Sequence, residues 1–156
     1  MQIQLKPVEF DDIALLDSWY KPQSLIHATG GRTLLEALPD FLSLKPGFFI
    51  ITLNCHRSIG FVVADLKDTQ SEKILWIRTL IIEPSLQKSG YGTAALRALL
   101  NYVGFGEKVR KVLVSVHRDN IAGYSFWVKN GFRDQTFAGK LTGMKHVRIL
   151  IREAGV

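Results

Sequence analysis

Apolar and polar positions change their period several times along this 156-residue chain, and each change marks an element. The opening IQLKPVEFDD alternates and predicts a strand. It runs into a helix over IALLDSWY, with Asp11 or Asp12 as N-cap. A second helix is predicted over Thr33 to Leu42. GFFIITLNCHRSIGFVVADL holds two apolar runs around a tight turn, which predicts a strand pair with Cys55 in the turn. KILWIRTLII is apolar on both faces and therefore central; only Arg78 and Thr79 interrupt it. Polar side chains there face a cavity or a partner, or form a paired structural arginine.

Leu96, Leu99, Leu100 and Val103 recur at i, i+3, i+4 and i+7, an apolar helical stripe that Gly104 can close. KVLVSV is a further strand. IAGYSFWVKNGF is a short helix with Asp119 or Asn120 as cap and Asn130-Gly131 as stop, and two more strands finish the chain. The order predicts one α+β domain over residues 1–156, its strands mostly in hairpins with one strand-helix-strand crossover.

Composition narrows the setting. No apolar run approaches the roughly 20 residues that span a bilayer, and the N-terminus lacks a basic and apolar leader, so a cytoplasmic protein without a membrane partner is expected. A lone cysteine offers no intramolecular disulfide and no cysteine pair for a metal. The net charge of +6 is uneven: residues 1–104 carry ten basic and ten acidic side chains, residues 105–156 ten and four. This excess suits an anionic partner or a solvated basic face. Nucleic acid is not expected, because no Lys/Arg run interleaves with aromatics. Monomer and homodimer both fit.

The candidate chemistry begins at Ser85 to Val103, SLQKSGYGTAALRALLNYV, a polar loop entering the apolar helix. Helix-start N–H groups lack intrahelical partners and sit at the positive end of the peptide dipoles, which suits a phosphate. Gly90 and Gly92 bare the backbone there and Lys88 adds charge, although two such glycines also suit a plain strand-to-helix turn. The Gly-Lys-Ser/Thr ending of a nucleotide loop is absent, and Ala95 stands where a dinucleotide fingerprint has its third glycine.

Two blocks carry a resemblance. Leu80-Ile81-Ile82-Glu83-Pro84 followed by Gln87-Lys88-Ser89-Gly90-Tyr91-Gly92 is similar to Leu-x-Val-x-Pro and Arg/Gln-x-x-Gly-x-Gly/Ala of the GNAT N-acetyltransferase superfamily. Asn120 to Phe132, NIAGYSFWVKNGF, resembles the family's Asn-x-x-Ala-x-x-Leu-Tyr-x-Lys-x-Gly-Phe. The resemblance implies a mixed, mostly antiparallel sheet of six to seven strands flanked by about four helices, splayed between two central parallel strands. It also implies acetyl-coenzyme A as cosubstrate and direct acetyl transfer to the primary amine of a small molecule or a peptide. By that analogy residues 87–93, Thr93 included, hold the pyrophosphate. The main chain of Leu80, Ile81 and Ile82 pairs with pantetheine, the Ile82 N–H faces the oxyanion, and Asn120 bonds near the thiol with Trp127 beside it.

The second block departs from the pattern at Trp127, where the family has the tyrosine credited as the acid for the leaving thiolate. An indole N–H supplies no proton at accessible pH. Tyr124, three residues earlier on the same helix, is the substitute, against a packing role beside Val128. Ser115 stands where some relatives carry a glutamate base and is too weak alone. His117, of a residue type that titrates near neutrality, and Glu83 are the alternatives. For the acceptor, the resemblance points to Trp19, Tyr20, His27, Arg32 and Arg78 with Thr79. A GNAT-like domain that binds acyl-coenzyme A without transferring it is the rival expectation.

Overall fold

The computed structural model describes residues 2–20, 33–104, 108–135 and 146–154; His27 and Arg32 lie outside them. Strands β1 (Ile3–Pro7), β2 (Pro46–Leu53), β3 (Arg57–Asp68), β4 (Lys73–Ile82), β5 (Val109–His117), β6 (Arg133–Asp134) and β7 (Val147–Glu153) form one sheet. Its order is β1-β2-β3-β4-β5-β7-β6. Four helices flank it among the described residues: α1 (Ile13–Tyr20), α2 (Leu34–Ser43), α3 (Tyr91–Gly104) and α4 (Ile121–Lys129). All pairings are antiparallel except β4 with β5, which the crossover through α3 makes parallel. This is the mixed, splayed sheet that the sequence implies.

The long apolar runs of β2, β3 and β4 follow from helices on both faces. On one face Leu96, Leu99 and Val103 of α3 and Trp127 of α4 pack on Ile51, Val62, Leu75 and Val114. On the other, Leu16, Trp19 and Tyr20 of α1 and Leu34, Ala37 and Phe41 of α2 pack on Phe48, Ile50, Phe61, Val63 and Ile81.

Local caps set the helix starts. Thr33 caps α2, accepting the Glu36 N–H at 3.2 Å, as expected for a helix entering at that residue. At α1 the expectation needs correction: a 3-10 turn over Phe10–Asp12 precedes the helix, and Glu9 is its N-cap. Asp12 acts from three residues downstream, accepting the Glu9 N–H at 2.8 Å, because the turn adds residues between strand and helix. Asn120 caps α4 through its Oδ1, which accepts the Gly123 N–H at 2.9 Å. Gly131, at φ +91°, turns the chain after it.

Two features of β4 position the site. Val63 pairs with Thr79 and Ala64 with Ile77, so Arg78 is an extra residue, a bulge that reverses which side chains face which helices. Leu75 and Ile77 face α3 before the bulge, whereas Thr79 and Ile81 face the α1/α2 side after it. The β4–β5 ladder stops at Ile77↔Val114, although β4 continues to Ile82 and β5 to His117. The central parallel strands therefore part within the sheet.

Candidate active site

The gap has a polar lip of main chain on its β4 side. The Glu83 N–H bonds the Ile59 carbonyl of β3 at 2.8 Å. Antiparallel alternation then turns the main-chain groups of Leu80 and Ile82 away from β3, toward the gap, while Ile81 faces β3. The Ile82 carbonyl is held there by the Gln87 Nε2–H at 2.9 Å. Gln87 thus ties the loop before α3 to the strand end.

Gly60 makes this strand end possible. A Cβ on Gly60 would lie 2.1 Å from the Ile81 carbonyl oxygen, so no other residue lets β3 and β4 approach there. Sequence reasoning passed over it; a glycine inside the apolar run SIGFVVADL was its signal.

The loop from Gln87 enters α3 through two left-handed residues, Lys88 at φ +63° and Gly90 at φ +90°. The first α3 bond runs from the Ala94 N–H to the Gly90 carbonyl at 3.1 Å, so the N–H groups ahead of Ala94 have no intrahelical acceptor. Tyr91, Gly92 and Thr93 are already helical, and Ser89 and Lys88 are exposed beside them. The two glycines have different reasons. Gly90 has open space around it and is needed for its φ, whereas a Cβ on Gly92 would come 2.9 Å from the Phe126 ring, so Gly92 lets α3 close on α4.

On the β5 side, Ser115 is the first residue beyond the last β4–β5 pair. Its Oγ is buried and has no hydrogen-bond partner among the described residues. A buried hydroxyl left so, at the mouth of a gap edged by main-chain donors, fits the amide-bearing arm of coenzyme A. His117 ends β5 on the same face as Ser115; its Nδ1 accepts the Asp119 N–H at 3.1 Å, and its ring stacks on His146 with centroids 6.5 Å apart. Tyr124, half-buried on α4, directs its hydroxyl to Asp134 Oδ2 at 3.4 Å.

Other expected site residues lie elsewhere. Glu83 pairs with Arg57 of β3 at 3.4 Å, and its main chain also bonds β3, so it belongs to the edge opposite the gap. Trp19 and Tyr20 are 6% and 4% exposed and pack in the core with α2. Trp127 is buried against Phe126 and Phe132 with ring centroids 4.9 and 5.0 Å away. Arg78 stands at the bulge over the Trp76 ring, and Thr79 is buried. A cleft of about 470 Å³ between the 3-10 turn, α1 and α2, lined among others by Phe10, Asp11, Ile13 and Leu35, had no signal in the sequence.

The model of the Acetyltransferase (GNAT) family matches residues 13–132, and the chain belongs to that family. Solved structures agree in fold. An acetyltransferase from Thermus thermophilus superposes with a TM-score of 0.75 at 23% identity, over 98% of this chain and 97% of that one. The aminoglycoside acetyltransferase AAC(6')-Ib in complex with coenzyme A gives 0.78 at 19%, over 97% and 95%. Arabidopsis thaliana Naa50 with the bisubstrate analogue CoA-Ac-MVNAL gives 0.69 at 15%, over 97% and 99%. No curated protein sequence matches the chain. Membership in the family agrees with acetyl-coenzyme A as cosubstrate. No helix among the described residues is long and apolar enough to cross a membrane.

Proposed function

We propose that this protein moves an acetyl group from acetyl-coenzyme A to a primary amine of a small molecule or a peptide, by direct transfer. The observation that carries this reading is the parting of β4 and β5 after Ile77↔Val114, next to a helix start whose N–H groups are free of intrahelical partners. The Gly90 to Thr93 N–H groups would receive the pyrophosphate and Lys88 would add charge. The pantetheine arm would enter the gap and pair with the main chain of Leu80 and Ile82, and Ser115 Oγ would gain a partner. Acetyl-coenzyme A supplies the thioester that the amine attacks.

In the transfer the amine nitrogen bonds to the thioester carbonyl carbon, the carbon–sulfur bond breaks, and the thiolate leaves. The Ile82 N–H, held in the strand, would stabilise the oxyanion. The attacking amine must lose a proton; His117, on the Ser115 face of β5, serves as base or through water. Glu83 is the weaker choice, since Arg57 holds it on the other edge of β4. Tyr124 gives a proton to the thiolate in place of the family's tyrosine. A second reading, an acyl-coenzyme A binding module without transfer, is favoured by the burial of Trp127 at the tyrosine position.

Two measurements test the proposal. Acetyl-coenzyme A at about 100 times its dissociation constant should stabilise the fold by roughly 2.7 kcal/mol, seen as a raised unfolding temperature. Coenzyme A release should accelerate with at least one member of an amine panel. Equal stabilisation by adenosine nucleotides would refute the cosubstrate. Stabilisation without any amine-dependent release would leave the binding module.

A further inference from the structure

We infer that the acceptor amine carries a carboxylate, and that Arg78 binds it; this rests on the transferase reading above. Asp65 and Trp76 are direct cross-strand partners and share one face of the sheet. Asp65 lies two residues beyond Val63, whose side chain packs with α1 and α2, so that face is the one away from α3 and its loop. A cofactor seated at the α3 start reaches the gap from one face, and the amine meets the acyl carbon from the other. Arg78 follows Ile77, the last residue of β4 paired with β5, and therefore stands at the lip of the gap.

The guanidinium is held in place before any ligand arrives. Its Cζ lies 3.8 Å from the centroid of the Trp76 ring, and its NH2 reaches Asp65 Oδ2 at 3.5 Å. That carboxylate does not use up the arginine. Lys67 is closer to the same oxygen, at 2.9 Å, so two cations share one anion and the cluster keeps a surplus positive charge. Among the described residues Asp65 is the polar partner of Arg78, and it engages one of the two terminal nitrogens. The other donors of the planar five-donor fork have no partner among the described residues, on a side chain 35% exposed. Stacking fixes the plane of that fork, and a carboxylate is the anion whose two oxygens match it.

The bulge explains why the residue is there. Counted back from Thr79 and Ile81, regular alternation would send residue 78 to the α3 face and bury a charge. As the extra residue, Arg78 stays at the surface on the Trp76 ring, while the apolar alternation resumes at Thr79 and Leu80. A bulge that only bent the strand would not require a cation on a ring.

The experiment compares matched amine pairs, α-amino acids and longer ω-amino acids against their carboxamides. Coenzyme A release is measured with acetyl-coenzyme A, and calorimetric titration is done on the coenzyme A complex. The carboxylate member should be preferred on the order of tenfold in kcat/KM and in affinity, the worth of one charge-assisted hydrogen-bond pair. Arg78→Gln should bring that preference near unity, and Arg78→Lys should keep only part of it. Stabilisation by acetyl-coenzyme A should be the same in all three proteins, which separates loss of the contact from loss of the fold. Carboxamides bound and acetylated as well as carboxylates, a preference that survives Arg78→Gln, or no affinity for any carboxylate would overturn the inference. Absence of release with every amine would instead remove the transferase reading, and the titrations would still decide the role of Arg78.

Discussion

Tyr124 and Arg148 meet at one oxygen. The Tyr124 hydroxyl lies 3.4 Å from Asp134 Oδ2, and Arg148 NH1 reaches the same atom at 3.0 Å while its guanidinium lies 5.4 Å from the tyrosine ring centroid. Helix α4 is thereby tied to β6 and β7 through a shared carboxylate. A phenol that gives its proton to a thiolate becomes a phenolate beside Asp134, and Arg148 is the charge that offsets the repulsion.

Tyr124→Phe should therefore retain stabilisation by acetyl-coenzyme A, since the ring still packs, and lower turnover by about 10²-fold. Arg148→Met should slow turnover more than Arg148→Lys. Steady-state rates with a competent amine decide it. Parental turnover in Tyr124→Phe would make the tyrosine a packing residue and let the thiolate leave unassisted.

Ser115 yields a prediction with opposite signs in the free and bound protein. Its buried Oγ lacks a partner among the described residues, so Ser115→Ala should leave the free protein as stable or more stable, by up to roughly 1 kcal/mol. Stabilisation by acetyl-coenzyme A should shrink, because the hydroxyl finds its partner on the cofactor. Thermal unfolding of both proteins with and without cofactor reads both effects. An unchanged cofactor shift would place the pantetheine arm away from β5.

Gly60→Ala should cost on the order of 1–3 kcal/mol, as overpacking does, because the new Cβ has only the Ile81 carbonyl and the Ile82 Cα to push against. The strain falls on the stretch of β4 that edges the gap. Cofactor affinity should therefore drop along with stability, as denaturant unfolding and calorimetry would register. A folded Gly60→Ala protein of full stability would contradict the close approach of β3 and β4.

Gly90 and Gly92 should separate in their effects. Gly90→Ala meets no neighbour and suffers only the left-handed backbone, worth roughly 1–2 kcal/mol, so its main loss should be in cofactor affinity as the loop N–H groups turn. Gly92→Val presses on Phe126 and should lose stability that Phe126→Leu partly restores. If Gly92→Val folds with full stability yet no longer binds acetyl-coenzyme A, the bare backbone at Gly92 serves the pyrophosphate and not the helix contact.

The sequence by itself determined what depends on neighbours a few residues apart. The stripe of Leu96, Leu99 and Val103, a helix entering at Thr33, a cap at one of the two candidates Asp119 and Asn120, and the Gly131 stop all appear where periodicity and cap chemistry put them. So does the glycine loop ahead of α3, and with the Asn120 to Phe132 block it was enough to recognise the family. Tertiary structure decided what depends on partners distant in the chain. Strand register makes Arg78 a bulge and ends the β4–β5 ladder at Val114; neither is encoded in the apolar run of KILWIRTLII, because an apolar residue suits either face of a sheet covered on both sides. For the same reason the burial of Trp19, Tyr20 and Trp127 and the pairing of Glu83 with Arg57 of β3 were not legible in the sequence. Ser115 looked too weak alone to act as a base, and only the parting of the strands shows its hydroxyl buried and without a partner among the described residues. Local chemistry names the elements, but which of their edges and faces stay unpaired is settled only when segments far apart in sequence are brought into contact.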